Sequence, residues 1–124
     1  MFSHVCMGAD DVAAAKRFYD AALGALGYAE GAEIPGAGRV IYSDGTTALM
    51  ITVPINGEPA THANGGTVGF IASSKAAVDV FHAAGIAAGG TDEGMPGERP
   101  AIPGSYAAYL RDPAGNKIVA WCRP

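Results

Sequence analysis

Cysteine is scarce in this chain: there are only two, Cys6 and Cys122, with no CxxC pair and no zinc-type spacing. That excludes a disulfide-stapled scaffold and a thioredoxin-type motif. Both cysteines sit in apolar, strand-like runs and are expected as buried thiols. Charge is thin as well, at 16% of residues with a formal net charge of -4, and the Lys and Arg are scattered, Lys16-Arg17 being the one adjacent pair. No basic patch is present to neutralise phosphates or anionic lipid, which argues against nucleic acid and membrane partners. No run approaches the roughly 18 to 20 apolar residues of a membrane span. The opening MFSHVCMGADD has neither the basic nor the apolar region of a secretory signal, so the expected location is the cytoplasm. A Ser-His-Asp set, a Cys-His pair and a phosphate-binding glycine loop are also missing.

What the chain does have is apolar residues and turns: 49% hydrophobic, 18 Gly and 8 Pro in 124 residues. Such a chain fits one compact, loop-punctuated domain burying about two-thirds of its unfolded surface.

The chain also repeats itself. With His4 set over Thr67, HVCMGADDVAAAKRFYDAALGALGYAEG aligns without a gap on TVGFIASSKAAVDVFHAAGIAAGGTDEG. Val5 meets Val68, Phe18 meets Phe81, Gly27 meets Gly90, and Glu30-Gly31 meets Glu93-Gly94. Alanine matches alone could be chance in so Ala-rich a chain, whereas the aromatic and glycine registers indicate duplication.

Each copy reads as a βαβββ unit. Strands are expected at 4–8 and 67–71, then helices with N-caps at Asp10 and Ser73. Val12, Ala15, Phe18, Ala22 and Leu26 recur at helical spacing in the first, and Val78, Phe81 and Ala88 in the second. Three strands should follow in each: near Tyr28, at 39–42 and at 47–53, then near Thr91, at 106–111 and at 116–122. The expected organisation is a single domain with modules at 1–53 and 67–124 joined by a polar linker, 54–66. Residues 95–105, MPGERPAIPGS, read as a long loop inserted in the second module, a common place for binding residues.

Side chains alternate along a strand, so each strand divides between two faces. Val5, Met7, Leu49, Ile51, Val53, Val68, Phe70, Ile118, Ala120 and Cys122 form an apolar set suited to lie under the helices. His4, Cys6, Met50, Thr52, Thr67, Gly69, Lys117, Val119 and Trp121 form a mixed set better suited to a ligand cleft. The two cysteines fall on opposite faces, which argues against their pairing.

With these elements in place, the chain resembles the vicinal oxygen chelate superfamily of glyoxalase I, bleomycin-resistance proteins and extradiol dioxygenases. The carrying residues are HVCMGADDVAAAKRFYDAALGALGY at the start and YAAYLRDPAGNKIVAW at the end. The resemblance implies an α+β fold in which two tandem βαβββ modules form a curled mixed sheet around a cleft, with helices outside. It also implies a homodimer. In metal-dependent members, His, Gln or Glu on the first and last strands of each module hold a divalent ion; those positions here are His4, Met50, Thr67 and Val119. Of these only His4 carries a conventional donor for such an ion. The same departure removes the carboxylate that glyoxalase I-like enzymes use as base, which counts against that isomerase activity.

The expected function is therefore a small-molecule binder of the glyoxalase and bleomycin-resistance type, without a metal cofactor and with lyase or isomerase activity left open. His4 is the candidate catalytic residue. Met50, Thr67, Arg99, Tyr106, Val119 and Trp121 are candidate ligand contacts. Glu98 beside Arg99 could help clamp an anionic ligand, and Tyr42 could flank the cleft with Tyr106. His62 is read as a solvated linker residue and His82 as a surface residue of the second helix. Two alternatives remain: a metal-dependent lyase or dioxygenase holding one divalent ion with loop ligands such as His62 and Glu98, and a non-catalytic dimeric module.

Overall fold

The computed structural model describes all 124 residues. The first half runs β1 (His4–Gly8), α1 (Val12–Gly24), β2 (Ala32–Ile34), β3 (Arg39–Ser43) and β4 (Ala48–Thr52). The second runs β5 (Val68–Ile71), α2 (Lys75–Ala87), β6 (Thr91–Glu98), β7 (Tyr106–Arg111) and β8 (Lys117–Cys122). The expected α+β fold of two tandem βαβββ modules is thus present. Each half closes its own four-stranded mixed sheet, in orders β1-β4-β3-β2 and β5-β8-β7-β6, with the first and last strands of the half parallel.

Local chemistry moves several boundaries. Helix α1 is capped by Asp11, whose carboxylate accepts from the Ala14 amide at 2.9 Å, and α2 by Ser74, one residue beyond each expected cap. Asp10 instead accepts from the Ala60 amide at 2.8 Å, tying the connection between the modules to the first one. Strand β2 lies at Ala32–Ile34 rather than near Tyr28, because the Gly27 turn (φ 97°) ends the helical segment and Tyr28 packs back on the core. Strand β6 is longer than expected: it continues through Met95–Glu98 with two register shifts against β7, leaving 99–105 as the loop.

Phe18 and Phe81, both fully buried, anchor the two helices over the sheets. The helices approach closely because Gly85 and Gly90 leave room for the Phe18 ring; a Cβ at Gly85 would collide with Leu110 and crowd that ring. Leu49, Ile51, Ile118, Ala120 and Cys122 join this core as their strand parity requires, while Val53 is exposed. His82 departs from the expected surface position. It is buried, with Nε2 2.8 Å from Asp92 Oδ1, and that bond holds the Asp92 carboxyl below its usual pKa range.

A polar clasp crosses between the halves. The Asp112 carboxylate, in the turn between β7 and β8, accepts from Tyr19 of α1 at 2.6 Å and from the Asn116 side-chain amide at 3.0 Å. Its other oxygen accepts from the backbone amides of Ala114 and Asn116, at 2.9 and 2.8 Å. The Asn116 side chain also donates to the Gly8 carbonyl at 3.0 Å, so one turn of the second half grips both α1 and β1 of the first. All three side chains are buried. Burial, reinforced by the neighbouring carboxylate, pushes the Tyr19 phenol far above its ordinary pKa and fixes it as a donor.

This arrangement predicts unequal losses on mutation. Tyr19→Phe removes one donor and should cost about 1 to 2 kcal/mol, whereas Asp112→Ala strands a phenol, an amide and two backbone N–H groups and should cost about 3 kcal/mol or more. Urea unfolding of both variants measures the difference. Equal losses would show that Asp112 is not the centre of the clasp.

Candidate functional site

The face of each sheet turned away from the helices follows from strand registry. In the first sheet its rows are His4, Ala48 and Ser43; Cys6, Met50 and Ile41; and Gly8, Thr52 and Arg39. In the second they are Lys117 and Arg111; Gly69, Val119 and Tyr109; and Ile71, Trp121 and Ala107. None of these strand positions carries a carboxylate. Val119 and Ala107 are buried although they lie outside the helix-side core cluster, and Met50 and Trp121 are partly exposed.

The registry brings His4 and Met50 to the open face of the first sheet and Val119 and Trp121 to that of the second, and Thr67 lies exposed just before β5. Arg99 reaches the open face of the second sheet from the loop, with its guanidinium 5.4 Å from the Tyr109 ring centre and donating to the Met95 carbonyl at 2.7 Å. It forms no ion pair with Glu98; one of its nitrogens donates to the Glu98 backbone carbonyl at 3.4 Å. Tyr106 is placed elsewhere. It stands opposite Cys122 on the helix side, and its hydroxyl donates to Asp79 at 2.7 Å. Tyr42 is also on the helix side and donates to Asp20 at 2.7 Å. Burial and the Asp20 carboxylate push the Tyr42 phenol far above its ordinary pKa. For Asp20 burial opposes ionisation, but donors from Lys16, Gly31 and Tyr42 outweigh it and hold the carboxyl below its usual range.

Tyr109 is the open-face aromatic of YAAYLR, three residues beyond Tyr106. Alternation along β7 puts Tyr106 and Tyr109 on opposite faces, and the pairing of Tyr109 with Val119 on β8 shows that Tyr109 has the open one. Cys6, expected to be buried, is exposed on the open face, whereas Cys122 is buried in the core.

Strands β1 and β5 are the facing edges of the two sheets, and no backbone ladder joins them. Two cavities lie along this seam. One, of about 170 Å³, is mostly apolar, with Val5, Leu23, Tyr28, Leu49, Val68 and Phe70 inside and His4 and Asp44 at its lining. The other, of about 370 Å³, lies at the Gly8 and Thr67 end and includes Cys6, Thr61, Asn116 and Lys117.

A divalent ion does not suit these donors. His4, Met50, Thr67 and Val119 contribute one imidazole, one thioether, one hydroxyl and no fourth donor. No cluster of three His, Cys, Asp or Glu residues able to hold a metal exists in the chain. His4 is exposed, and its Nδ1 is engaged with the Ser3 hydroxyl at 2.9 Å. His62 and Glu98 are exposed and do not complete such a cluster with His4.

The sequence model of the Glyoxalase/Bleomycin resistance protein/Dioxygenase superfamily matches residues 1–120. A crystal structure of a glyoxalase/bleomycin resistance protein from Albidiferax ferrireducens T118 is 52% identical, with a TM-score of 0.93, over 100% of this chain and 99% of that one. The crystal structure of lactoylglutathione lyase from Agrobacterium tumefaciens is 30% identical, with a TM-score of 0.67, over 98% and 92%. A glyoxalase-related enzyme from Fulvimarina pelagi, 18% identical with a TM-score of 0.77 over 98% and 86%, shares the fold. No curated protein matches the chain significantly. No helix is long and apolar enough to cross a membrane.

The two thiols should separate chemically. Under native conditions a thiol-reactive disulfide reagent is expected to label Cys6 quickly and Cys122 only after unfolding, because only Cys6 is accessible. Mass spectrometry of the labelled peptides checks this, and comparable native labelling of both would contradict the strand parity.

Proposed function

The chain belongs to the Glyoxalase/Bleomycin resistance protein/Dioxygenase superfamily, and from that premise we propose that it binds a small organic molecule between its two modules without a metal ion. The observation that carries this reading is the open face itself. It is a mixed apolar and polar surface, with Met50, Val119, Tyr109 and Trp121 on its strands, of which β4 reaches one seam cavity through Ala48 and β8 the other through Lys117. Ligand sites typically combine such an apolar wall with a few polar groups.

Its chemistry favours binding over glyoxalase-type proton transfer. The open-face positions of β1, β3, β4, β5, β7 and β8 hold no carboxylate to act as base, Glu93 of β6 is paired with Arg111, and His4 is the one imidazole among them. A second reading, a metal-dependent lyase, draws on the 30% identity to the protein named lactoylglutathione lyase. The donor set opposes it.

A thermal-shift screen of small aromatic acids, amides, thiol conjugates and antibiotics should return at least one stabilising compound, since a ligand of the native state raises its apparent stability. The purified protein should contain well under one equivalent of zinc, nickel, iron or manganese, and a chelator should leave its melting temperature and ligand response unchanged. Stoichiometric metal retained through dialysis and lost in His4→Ala would transfer support to the lyase. A broad screen without a hit would defeat the binding reading.

The working form proposed is a homodimer. Strands β2 and β6 are sheet edges, and Ile71, 79% exposed, stands on the open face of β5. Light scattering at micromolar concentration should give about twice the chain mass of 12.5 kDa; the single-chain mass would refute it.

A further inference from the structure

The duplicated halves differ in charge on their open faces. Cross-strand position sets Ile41 against Tyr109, Ser43 against Arg111 and Ala48 against Lys117, as the partners of β4 and β8 show. At these three positions the first module is uncharged, while the second has a phenol and two cations; at the next, Arg39 of the first stands where the second has Ala107. Arg99 and Arg123 complete the group, the latter with its guanidinium 5.8 Å from the Trp121 ring centre. Half of the chain's eight Lys and Arg therefore gather on one sheet face of a protein whose net charge is -4.

That gathering opposes folding unless something offsets it. Arg111 and Lys117 are direct cross-strand partners, an arrangement that repels like charges. Arg111 has local compensation, donating to Glu93 at 3.2 Å and to the Gly115 carbonyl at 3.0 Å. Lys117 and Arg99 belong to none of the chain's ion pairs. Both face Tyr109 instead, the Lys117 ammonium 5.1 Å and the Arg99 guanidinium 5.4 Å from its ring centre. A π face attracts a cation but leaves its charge available to an anion. Gly94 and Gly97 make room for this arrangement, since a Cβ at Gly94 would crowd the Tyr109 side chain and one at Gly97 the Arg99 guanidinium.

Lys117 also lines the larger seam cavity, together with Thr61, Thr67 and Cys6. Lys117, which has no carboxylate partner, thus borders about 370 Å³ of space that it shares with hydroxyl-bearing residues. We propose that the open face of β7 and β8 beside this cavity is an oxyanion subsite in which Lys117 and Arg99, both set by Tyr109, receive the carboxylate or phosphate of a small ligand. The proposal rests on the reading of the open face as a ligand site and adds the charge of the ligand. The apolar part of that ligand lies along Val119 and Trp121. Guanidinium supplies paired donors for an oxyanion and the ammonium a compact charge.

Titration of the full chain with phenylacetate, phenyl phosphate and uncharged phenylacetamide tests this. At least one anion should bind about tenfold or more tightly than the amide. The ratio between the two anions identifies the preferred oxyanion. Lys117→Gln and Arg99→Gln should each weaken the anion about tenfold without changing amide binding, and Lys117→Arg should retain it. Wild-type anion binding should weaken from about 0.02 to 0.3 M NaCl, a measurement that stands even where a variant does not fold. Equal binding of acid and amide, or salt-independent anion binding, overturns the subsite and leaves small-molecule binding intact. Binding by none of the three probes also overturns it, and the broad thermal-shift screen then decides the general reading separately.

Discussion

The Asp112 carboxylate is where the two halves of the molecule become one. Each half satisfies its backbone within its own sheet, and the facing strands β1 and β5 share no ladder. The halves meet through packed helices and through a turn whose carboxylate and neighbouring amide reach Tyr19 and the Gly8 carbonyl. A buried carboxylate is tolerable only when fully surrounded by donors, and here it has four. That requirement fixes the turn, the turn fixes where β8 begins, and β8 carries Lys117, Val119 and Trp121 onto the open face.

Duplication gave both modules one scaffold, and the differences between them concentrate on the face the helices do not cover. On the helix side, Phe18 and Phe81 fill equivalent places and the strand residues under them are apolar in both halves. On the other side, Ile41 stands where Tyr109 does and Ala48 where Lys117 does. Core positions are constrained by packing density in each copy, while open-face positions are free to diverge with whatever they contact. The site is accordingly asymmetric within a nearly symmetric frame.

Much of this was legible in the sequence because period-two alternation is a strong signal in short strands. Leu49, Ile51, Ile118 and Ala120 declared the buried face, and His4, Met50 and Val119 the opposite one. What escaped depended on partners distant along the chain. His82 looks like a surface residue until Asp92 is known to face it, and Asp10 looks like a helix cap until Ala60 folds back onto it. Cys6 shares an apolar run with Val5 and Met7 yet is exposed, because composition alone does not say which face is covered. Tyr106 looks like a cleft residue from its nearness to the cleft strands, but its helix-side direction follows from its partner, Cys122.

The closure of each sheet within its own half bears on how the chain reaches this state. Every ladder contact joins residues of one βαβββ unit, so hydrogen-bonded pairing requires no loop longer than the unit itself. Short loops are entropically cheaper to close than long ones. The two units can therefore form their sheets in parallel and dock afterwards, with the seam as the last surface to assemble. The cavities the ligand would use are then products of docking, present only once both units are complete.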